Sequence, residues 1–475
     1  VSTSLASLLV EHPFADDEPL LHTASRSMTA GEARAASREL AERLAAHVGP
    51  GRAVAVRLPD GPEVVIAMTA IWLARAVFVP VNVRSPAAEL DRVLDACRPA
   101  ALLDSEGLHR LEGARTYEPG VAFVTWTSGT TGAPKAILHT HEAYLELIDR
   151  VLGPLRGGPP RGDRPPPPNL VPVPLSLNAG IYNVLFGLRA GAALVILERF
   201  GTAVFAELVR RFGIRSTVLP PAAIAMLADD PQVTDLTPLR YVRSITAPLS
   251  PLQARRFTSK FGVTVLNGYG QAEIGEVIGW TAADARAHPE KLGAAGRPHP
   301  GVAIKVVDDR GRPVATDEVG RLLVKPPSMA TGYATGEDLA DRLDPEGYVD
   351  TGDLARVDAD GFVWIEGRAD DVINRGGNKV VPEQVEEVLR LSPAVTDAAV
   401  VGIPDPRLGE VPVAFLTGTP VPPAELEALC RAHLLPYKVP VAYHFVDDLP
   451  RNAVGKVLRR ELRRRMPPAN AGSER

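Results

Sequence analysis

The sequence predicts an α/β protein: a large N-terminal domain of doubly wound parallel sheets with a small β subdomain, followed by a small α+β C-terminal domain. Three observations predict it. Apolar, strand-like runs alternate with helix-like stretches from Arg52 to Gly270; short alternating strands with Asp-Gly turns begin at about Gly301; strands and helices mix again beyond Gly367. We therefore place the N-terminal domain at 1–367 and the C-terminal domain at 368–475.

In the first region strands are expected at 53–58, 77–81, 121–126, 193–197, 216–219, 242–246 and 263–266. Helical spacing of apolar residues recurs between them at 64–75, 86–96, 203–212 and 251–261. Alternation of this kind makes parallel sheets covered by helices on both faces, with ligands at the carboxyl ends of the strands. The Pro-rich stretch 157–174 reads as a surface loop inside this domain. The β subdomain has expected strands at 303–307, 320–324, 354–357 and 362–366, with turns at Asp308-Asp309-Arg310-Gly311 and Asp360-Gly361. In the last region strands are expected at 398–403, 413–417 and 442–446, and helices at 382–391, 423–434 and 457–465. The basic run 456–465 reads as a solvated helix face, and the tail from Pro467 as disordered.

The chain has 475 residues, 52 basic against 57 acidic side chains, and a formal net charge of −5. That balance gives no electrostatic reason to seek nucleic acid. The first 20 residues lack a basic start followed by an apolar run, and the most apolar stretch, 64–77, is shorter than a membrane span. With two distant cysteines, Cys97 and Cys430, there is neither a disulfide framework nor a thiolate metal site. A cytoplasmic protein without a membrane partner is expected. Lysine occurs at only eight positions, 135, 260, 291, 305, 325, 379, 438 and 456, so each is a candidate for a place where arginine will not serve.

The first chemical signal is Thr127-Ser128-Gly129-Thr130-Thr131-Gly132-Ala133-Pro134-Lys135, directly after the strand expected at 121–126. Small residues let backbone N–H groups close around an anion, hydroxyls add donors, and Lys135 adds charge. Pro134 and Ala136 stand where a Walker loop needs glycine and a hydroxyl. His139 and His141 alternate after the loop; two such residues do not make a metal site.

The string resembles the signature loop of the adenylate-forming superfamily: acyl- and aryl-CoA ligases, luciferases and adenylation domains of nonribosomal peptide synthesis. Further motifs follow in family order: Asn267-Gly268-Tyr269-Gly270-Gln271-Ala272-Glu273, Tyr348-Val349-Asp350-Thr351-Gly352-Asp353, Gly367-Arg368-Ala369-Asp370-Asp371 and Pro450-Arg451-Asn452-Ala453-Val454-Gly455-Lys456. The resemblance covers nearly the whole chain and implies activation of a carboxylic acid by ATP and Mg²⁺. It implies that Thr127, Ser128, Gly129, Thr130, Thr131, Gly132 and Lys135 cradle phosphate, Thr127 acting in catalysis, and that Glu273 holds the metal. Asp353 would accept the ribose hydroxyls with Arg368 in support, and adenine would lie against Ala247, Pro248 and the strand end Asn267, Gly268, Tyr269 and Gly270. Lys456 would stabilise the charge passing between carboxylate and α-phosphate. Asp370 would be the hinge of a mobile C-terminal domain, whose rotation presents Arg375-Gly376-Gly377-Asn378-Lys379 to a pantetheine arm; a plain surface turn is the competing reading of that string.

By the same resemblance Leu177, Asn178, Gly180, Ile181, Tyr182, Thr246, Gly270 and Ala272 line the acid pocket. Asn178 stands where amino-acid-activating members carry the aspartate that pairs with an ammonium. A neutral amide cannot do that, which disfavours ordinary amino acids. Asparagine there, and Ala272 in place of a usual Thr or Ser, match the aryl-acid branch, while Leu177 lacks the histidine or aromatic gate of many CoA ligases. The expected enzyme adenylates an aryl acid and passes it to a thiol, of coenzyme A or of a stand-alone carrier protein's phosphopantetheine. The alternatives are a nitrogen nucleophile as acceptor, a fatty acyl-CoA ligase and a non-catalytic nucleotide-binding protein.

Overall fold

The structure, a computed structural model, describes residues 4–126, 135–156, 166–245, 249, 251–334, 336, 339–451 and 457–465. Two seven-stranded sheets form the centre of the N-terminal domain. The first runs in the order Thr264–Asn267, Tyr241–Ser244, Ser216–Leu219, Asn169–Val171, Leu194–Ile196, Pro19–His22, Ser27–Thr29 and is parallel except at its last pair. The second runs Gly332–Tyr333, Ala136–Thr140, Val121–Trp126, Val77–Pro80, Ala53–Arg57, Ala101–Asp104, Gly107–Arg110. Its inner pairs are parallel and both edges antiparallel.

One edge bears on function. Val121–Trp126 pairs antiparallel with Ala136–Thr140, Trp126 opposite Ala136. The connection that carries the phosphate-loop string therefore joins antiparallel neighbours, which needs no crossover; a parallel return takes a dozen or more residues. The Pro62–Leu73 helix, apolar on nearly every side, is buried behind the second sheet, and Trp72 Nε1 donates to Ala122 O at 2.8 Å.

The helix Ala30–Ala45 starts with a capping box: Thr29 Oγ1 accepts from Glu32 N while Glu32 accepts from Thr29 N. Of the stretch 157–174 expected as a surface loop, residues 157–165 lie outside the described residues, and Asn169–Val171 is instead an inner strand of the first sheet, with Leu170 and Val171 buried.

The β subdomain is an antiparallel sheet in the order Ala303–Val307, Gly320–Lys325, Val349–Val357, Val363–Arg368. Its third strand is longer than expected and carries the Thr351-Gly352-Asp353 motif inside the ladder. Beyond it, Gly409–Gly418 pairs with Val395–Asp405, Ile373–Arg375 and Ala442–Phe445, and Pro382–Leu389 and Pro423–His433 pack apolar faces on this sheet. Among the described residues no helix is long and apolar enough to cross a membrane, and Cys97 and Cys430 are free and buried.

Candidate functional site

Asp353 is the centre of the best-connected part of the site. It is 7 % exposed, and its two oxygens take three donors. Tyr269 Oη donates to Oδ2 at 2.5 Å, Gln271 Nε2 to the same oxygen at 3.0 Å, and Arg368 Nη1 to Oδ1 at 3.0 Å. Gln271 Nε2 and Arg368 Nη1 also donate to Thr351 O, so one strand carbonyl fixes both partners. Burial works against the charge of Arg368; the facing Asp353 outweighs it and holds the guanidinium protonated more firmly than usual. Burial and then Asp353 push the Tyr269 phenol well above its ordinary value, so it stays a donor. A carboxylate has about four lone-pair sites; three are filled, so the carboxylate can accept two ribose hydroxyls only if Tyr269 or Gln271 yields.

Glu273 lies on the neighbouring side. Tyr333 Oη donates to Glu273 Oε1 at 3.2 Å, Arg342 Nη1 donates to Tyr333 Oη at 3.0 Å and stands 3.8 Å from Glu273 Oε1. Lys135 Nζ sits 4.7 Å above the centre of the Tyr333 ring. Tyr333 thus joins the lysine that ends the phosphate-loop string to the expected metal carboxylate. Ala272 packs with Ile137, Ala330, Tyr333 and Leu339 beneath them. Among the described residues no group of three or more His, Cys, Asp or Glu could cage a metal. One hard carboxylate, with Lys135 over the ring of the tyrosine that donates to it, is a donor set that fits Mg²⁺, an ion that keeps most of its waters and takes few protein ligands.

Under the strands that flank the loop lies an aromatic layer. His139 stacks on Phe123 with centroids 4.7 Å apart, and its Nε2 is 2.8 Å from Thr125 Oγ1. His141 Nδ1 accepts from Leu5 N at 3.1 Å. Both rings are engaged in packing and hydrogen bonds within the fold. Tyr144 meets the Phe123 ring edge-on and donates its O–H to Asn178 Oδ1 at 2.8 Å. Asn178 opens the helix Asn178–Arg189, with Leu177 as its N-cap. Asp60 Oδ1 holds Leu175 N at 2.8 Å just upstream. Gly180 lets that turn approach: a Cβ would sit 2.1 Å from Pro174 O. Ile181 and Tyr182 follow, 1 % and 8 % exposed.

Asn267 turns its amide to Gly293 O at 3.1 Å, and Gly270 admits the partner strand, since a Cβ would meet Gly275 O at 2.1 Å. Gly268 faces Glu276 Oε1. Thr127, Ser128, Gly129, Thr130, Thr131, Gly132, Thr246, Ala247, Pro248 and Lys456 lie outside the described residues. The residues flanking the last of these are tied together: Arg451 pairs with Val457, and Leu458 N donates to Pro450 O at 2.7 Å.

Asp370 is exposed in the short turn Ala369–Asp371. Gly376 and Gly377 have φ of 57° and 87°, the conformation a two-residue hairpin between Ile373–Arg375 and Asn378–Val380 demands. The hairpin alone accounts for both glycines. Lys379 Nζ reaches Asp309 Oδ2 of the β subdomain at 2.6 Å.

Gln271, Tyr333, Arg342, Tyr144 and Glu276 are the site residues that sequence reasoning passes over. Gln271 and Glu276 stand in or beside a quoted motif; the others are brought in only by tertiary contact. If Asp353 anchors nucleotide, Asp353→Asn should raise the KM for ATP about 10- to 100-fold, the scale of a hydrogen bond to a charged group. A KM near wild type in pyrophosphate exchange would remove it from that role.

The AMP-binding enzyme family matches residues 12–120 and 112–334, and the AMP-binding enzyme C-terminal domain matches residues 384–456. Over 463 residues, 88 % of this chain and 88 % of the relative, the chain is 30 % identical to a sulfoacetate–CoA ligase of Cupriavidus necator. It is 30 % identical to a 2-succinylbenzoate–CoA ligase of Geobacillus kaustophilus over 98 % of its own length and 99 % of the other. The solved structure of an amide bond synthetase from Marinactinospora thermotolerans superposes with a TM-score of 0.83 at 27 % identity, covering 97 % of this chain and 98 % of that one. With the family models matching most of its length and relatives of 30 % identity along nearly all of it, the chain belongs to the AMP-binding enzyme family, the adenylate-forming superfamily.

Proposed function

We propose that this AMP-forming acid–thiol ligase activates a planar, aryl-type carboxylic acid that carries a polar oxygen beside its carboxyl group. ATP supplies an electrophilic α-phosphate; the acid becomes an acyl-adenylate, pyrophosphate leaves, and the acyl group passes to the thiol of coenzyme A or of a carrier protein. The observation that carries the reading is Asn178. Tyr144 occupies its carbonyl oxygen, which leaves its N–H₂ as the group to present. A presented donor suits a hydroxyl or carbonyl oxygen and repels an ammonium.

The chain's own groups divide the work. Asp353, Tyr269, Gln271 and Arg368 hold the ribose, Lys135 and the loop before it hold phosphate, and Glu273 takes Mg²⁺. Lys456 meets the charge that develops between carboxylate and α-phosphate. Attack of an anion on an anion is slow chiefly through repulsion, so positioning and charge neutralisation are what these residues contribute.

Acid-dependent ATP–pyrophosphate exchange over substituted benzoates, cinnamates, fatty acids and amino acids tests it. Exchange should be confined to aryl acids with a hydroxyl or carbonyl oxygen beside the carboxyl and fall at least about 10-fold in Asn178→Ala, as loss of one hydrogen bond implies. Preference for amino acids or long fatty acids would overturn it. The likeness to an amide bond synthetase favours one second reading, an amine as acceptor. Release of amide from an enzyme, acid, ATP and amine mixture without any thiol would establish it.

A further inference from the structure

One short stretch of chain meets Glu273 three times. Ala330 N donates to Glu273 O at 2.8 Å, Tyr333 Oη donates to its carboxylate at 3.2 Å, and Arg342 Nη1 stands 3.8 Å from the same oxygen. Between the first and last of these the strand Gly332–Tyr333 pairs antiparallel with Ala136–Thr140, Tyr333 opposite Ile137. Hydrogen bonds from Thr331 N to Leu138 O at 3.1 Å and from Ala334 N to Ala136 O at 2.7 Å extend the contact on both sides. Lys135 stands two residues before Ile137, which in an extended chain makes it the diagonal neighbour of Tyr333, and its Nζ lies 4.7 Å above the centre of that ring. The same edge strand therefore holds both the carboxylate and the lysine that ends the phosphate-loop string.

The chemistry of the phenol gives this arrangement a direction. Tyr333 is 4 % exposed and packs with Ile137, Ala330 and Leu339, so the place of its ring is set by the core. A phenol oxygen has one hydrogen to give and lone pairs with which to accept. Arg342 Nη1 donates to it at 3.0 Å, and a guanidinium can do nothing else; the hydrogen is therefore directed at Glu273 Oε1, which as a carboxylate can only accept. Burial and the Glu273 charge push the phenol above its ordinary value against the pull of Arg342, so it keeps that hydrogen. Glu273 Oε1 is thereby engaged, and Oε2 takes no hydrogen bond among the described residues. Arg342, 40 % exposed, closes the group on its solvent side.

Resting on the proposed acid-activating function, we infer that Tyr333 is a positioning residue for the leaving-group end of the reaction: its O–H sets the Glu273 carboxylate for Mg²⁺, its ring sets Lys135 for the phosphates that depart, and Arg342 fixes the direction of the O–H. The two duties are separable, because one belongs to the oxygen and the other to the ring. The hydrogen-bonded group around Asp353 shares no member with this one, so ribose binding does not depend on it.

The experiment is direct titration of the full chain with ATP and with AMP, each with and without Mg²⁺; the reference is the factor by which Mg²⁺ tightens ATP binding in the wild type. Tyr333→Phe keeps the ring and removes the O–H. In it that factor should shrink about 10-fold or more, the scale for losing a group that orients a metal ligand, while ATP without Mg²⁺ binds as in the wild type. Tyr333→Leu removes the ring as well and should in addition weaken metal-free ATP binding about 3-fold or more, as loss of a cation–π contact implies. Arg342→Met should lower the Mg²⁺ factor about 3-fold, and Arg342→Lys should restore part of it. AMP, which lacks the departing phosphates, should bind all four variants as it binds the wild type and so reports that each is folded. A Mg²⁺ factor near one in the wild type or unchanged in Tyr333→Phe, metal-free ATP binding untouched in Tyr333→Leu, or equal losses of AMP and ATP affinity in Tyr333→Phe, overturns the role. A wild type that binds ATP with Mg²⁺ and yet supports exchange with no acid overturns instead the acid-activation reading beneath it.

Discussion

Replacing Lys456 by alanine should lower acid-dependent pyrophosphate exchange by a factor on the order of 10² to 10³, the scale for removing one preorganised electrostatic contact from a transition state. Carboxylate and triphosphate both carry negative charge, and the developing charge at the α-phosphate is what a lysine there would meet. Asp353, Tyr269, Gln271 and Arg368, the proposed ribose site, form a hydrogen-bonded group of their own that does not depend on Lys456. Binding of ATP should therefore survive in the variant. Thioester formation from preformed acyl-adenylate should also fall much less than exchange, since that step no longer needs the charge. Exchange near the wild-type rate would end the assignment.

The second large effect is on stability. Arg459 is 11 % exposed and ties the terminal helix Arg459–Arg465 to three carboxylates: Glu386 at 2.7 Å, Glu383 at 2.9 Å and Asp371 at 3.3 Å. Glu386 also accepts from Val400 N at 2.8 Å, which locks the cluster to a strand of the C-terminal sheet. Breaking a buried network on one side strands the other side's charge, at a cost of about 3–5 kcal/mol. Arg459→Met should show that loss in denaturant titration, followed by a signal from the C-terminal sheet.

The pH dependence has a definite sign. Burial pushes the Glu383 carboxyl up to about 7, against the pull of Arg459. A group with a raised folded pKa contributes stability that is complete below its unfolded value, near 4.5, and is lost as pH rises through the folded one. Removing Arg459 drives that value higher, so the variant's deficit should widen from pH 5 to pH 8. A constant deficit would mean that Glu383 is not the group left exposed to the loss.

Much of the architecture was legible because Val, Ile, Leu and Ala runs such as those at 53–56 and 193–197 admit little but a buried strand. The antiparallel edges were not. Hydrophobic runs report burial, while strand direction depends on which neighbour the chain returns to, as at Trp126 and Ala136. The helix Ala30–Ala45 left a sharper trace in Thr29 and Glu32 than in its weakly apolar face. Short strands such as Tyr269–Gln271, rich in glycine and polar groups, exist through pairing with Gly275–Gly279 and have no pattern of their own.

The site divides the same way. Asp353 and Arg368 are put together in the sequence only by the motifs of the family resemblance; the structure sets them opposite each other in one ladder and joins them. Tyr333 and Arg342 reach Glu273 from some 60 to 70 residues away, beyond any local motif. Scarcity of lysine was a poor guide to chemistry. Lys260 donates to Leu227 O, Ala228 O and Asp230 O, three carbonyls at a helix end that a compact three-donor ammonium satisfies better than a planar fork. Lys291 bridges Asp358 and Asp360 in a turn of the β subdomain.

The aromatic layer under the phosphate-loop strands has a consequence for acid tolerance. Burial lowers the His139 imidazole to about 3 and that of His141 to about 4, so both rings are neutral in the folded protein while an unfolded chain would protonate them near 6.5. Each proton is taken up by the unfolded chain alone as pH falls from 6.5 toward those values, and each uptake pulls the equilibrium away from the fold. Mild acidification thus weakens the fold partly through the layer that seats Val121–Trp126 and Ala136–Thr140, and the strands on either side of the Thr127–Lys135 string depend on two rings packed beneath them.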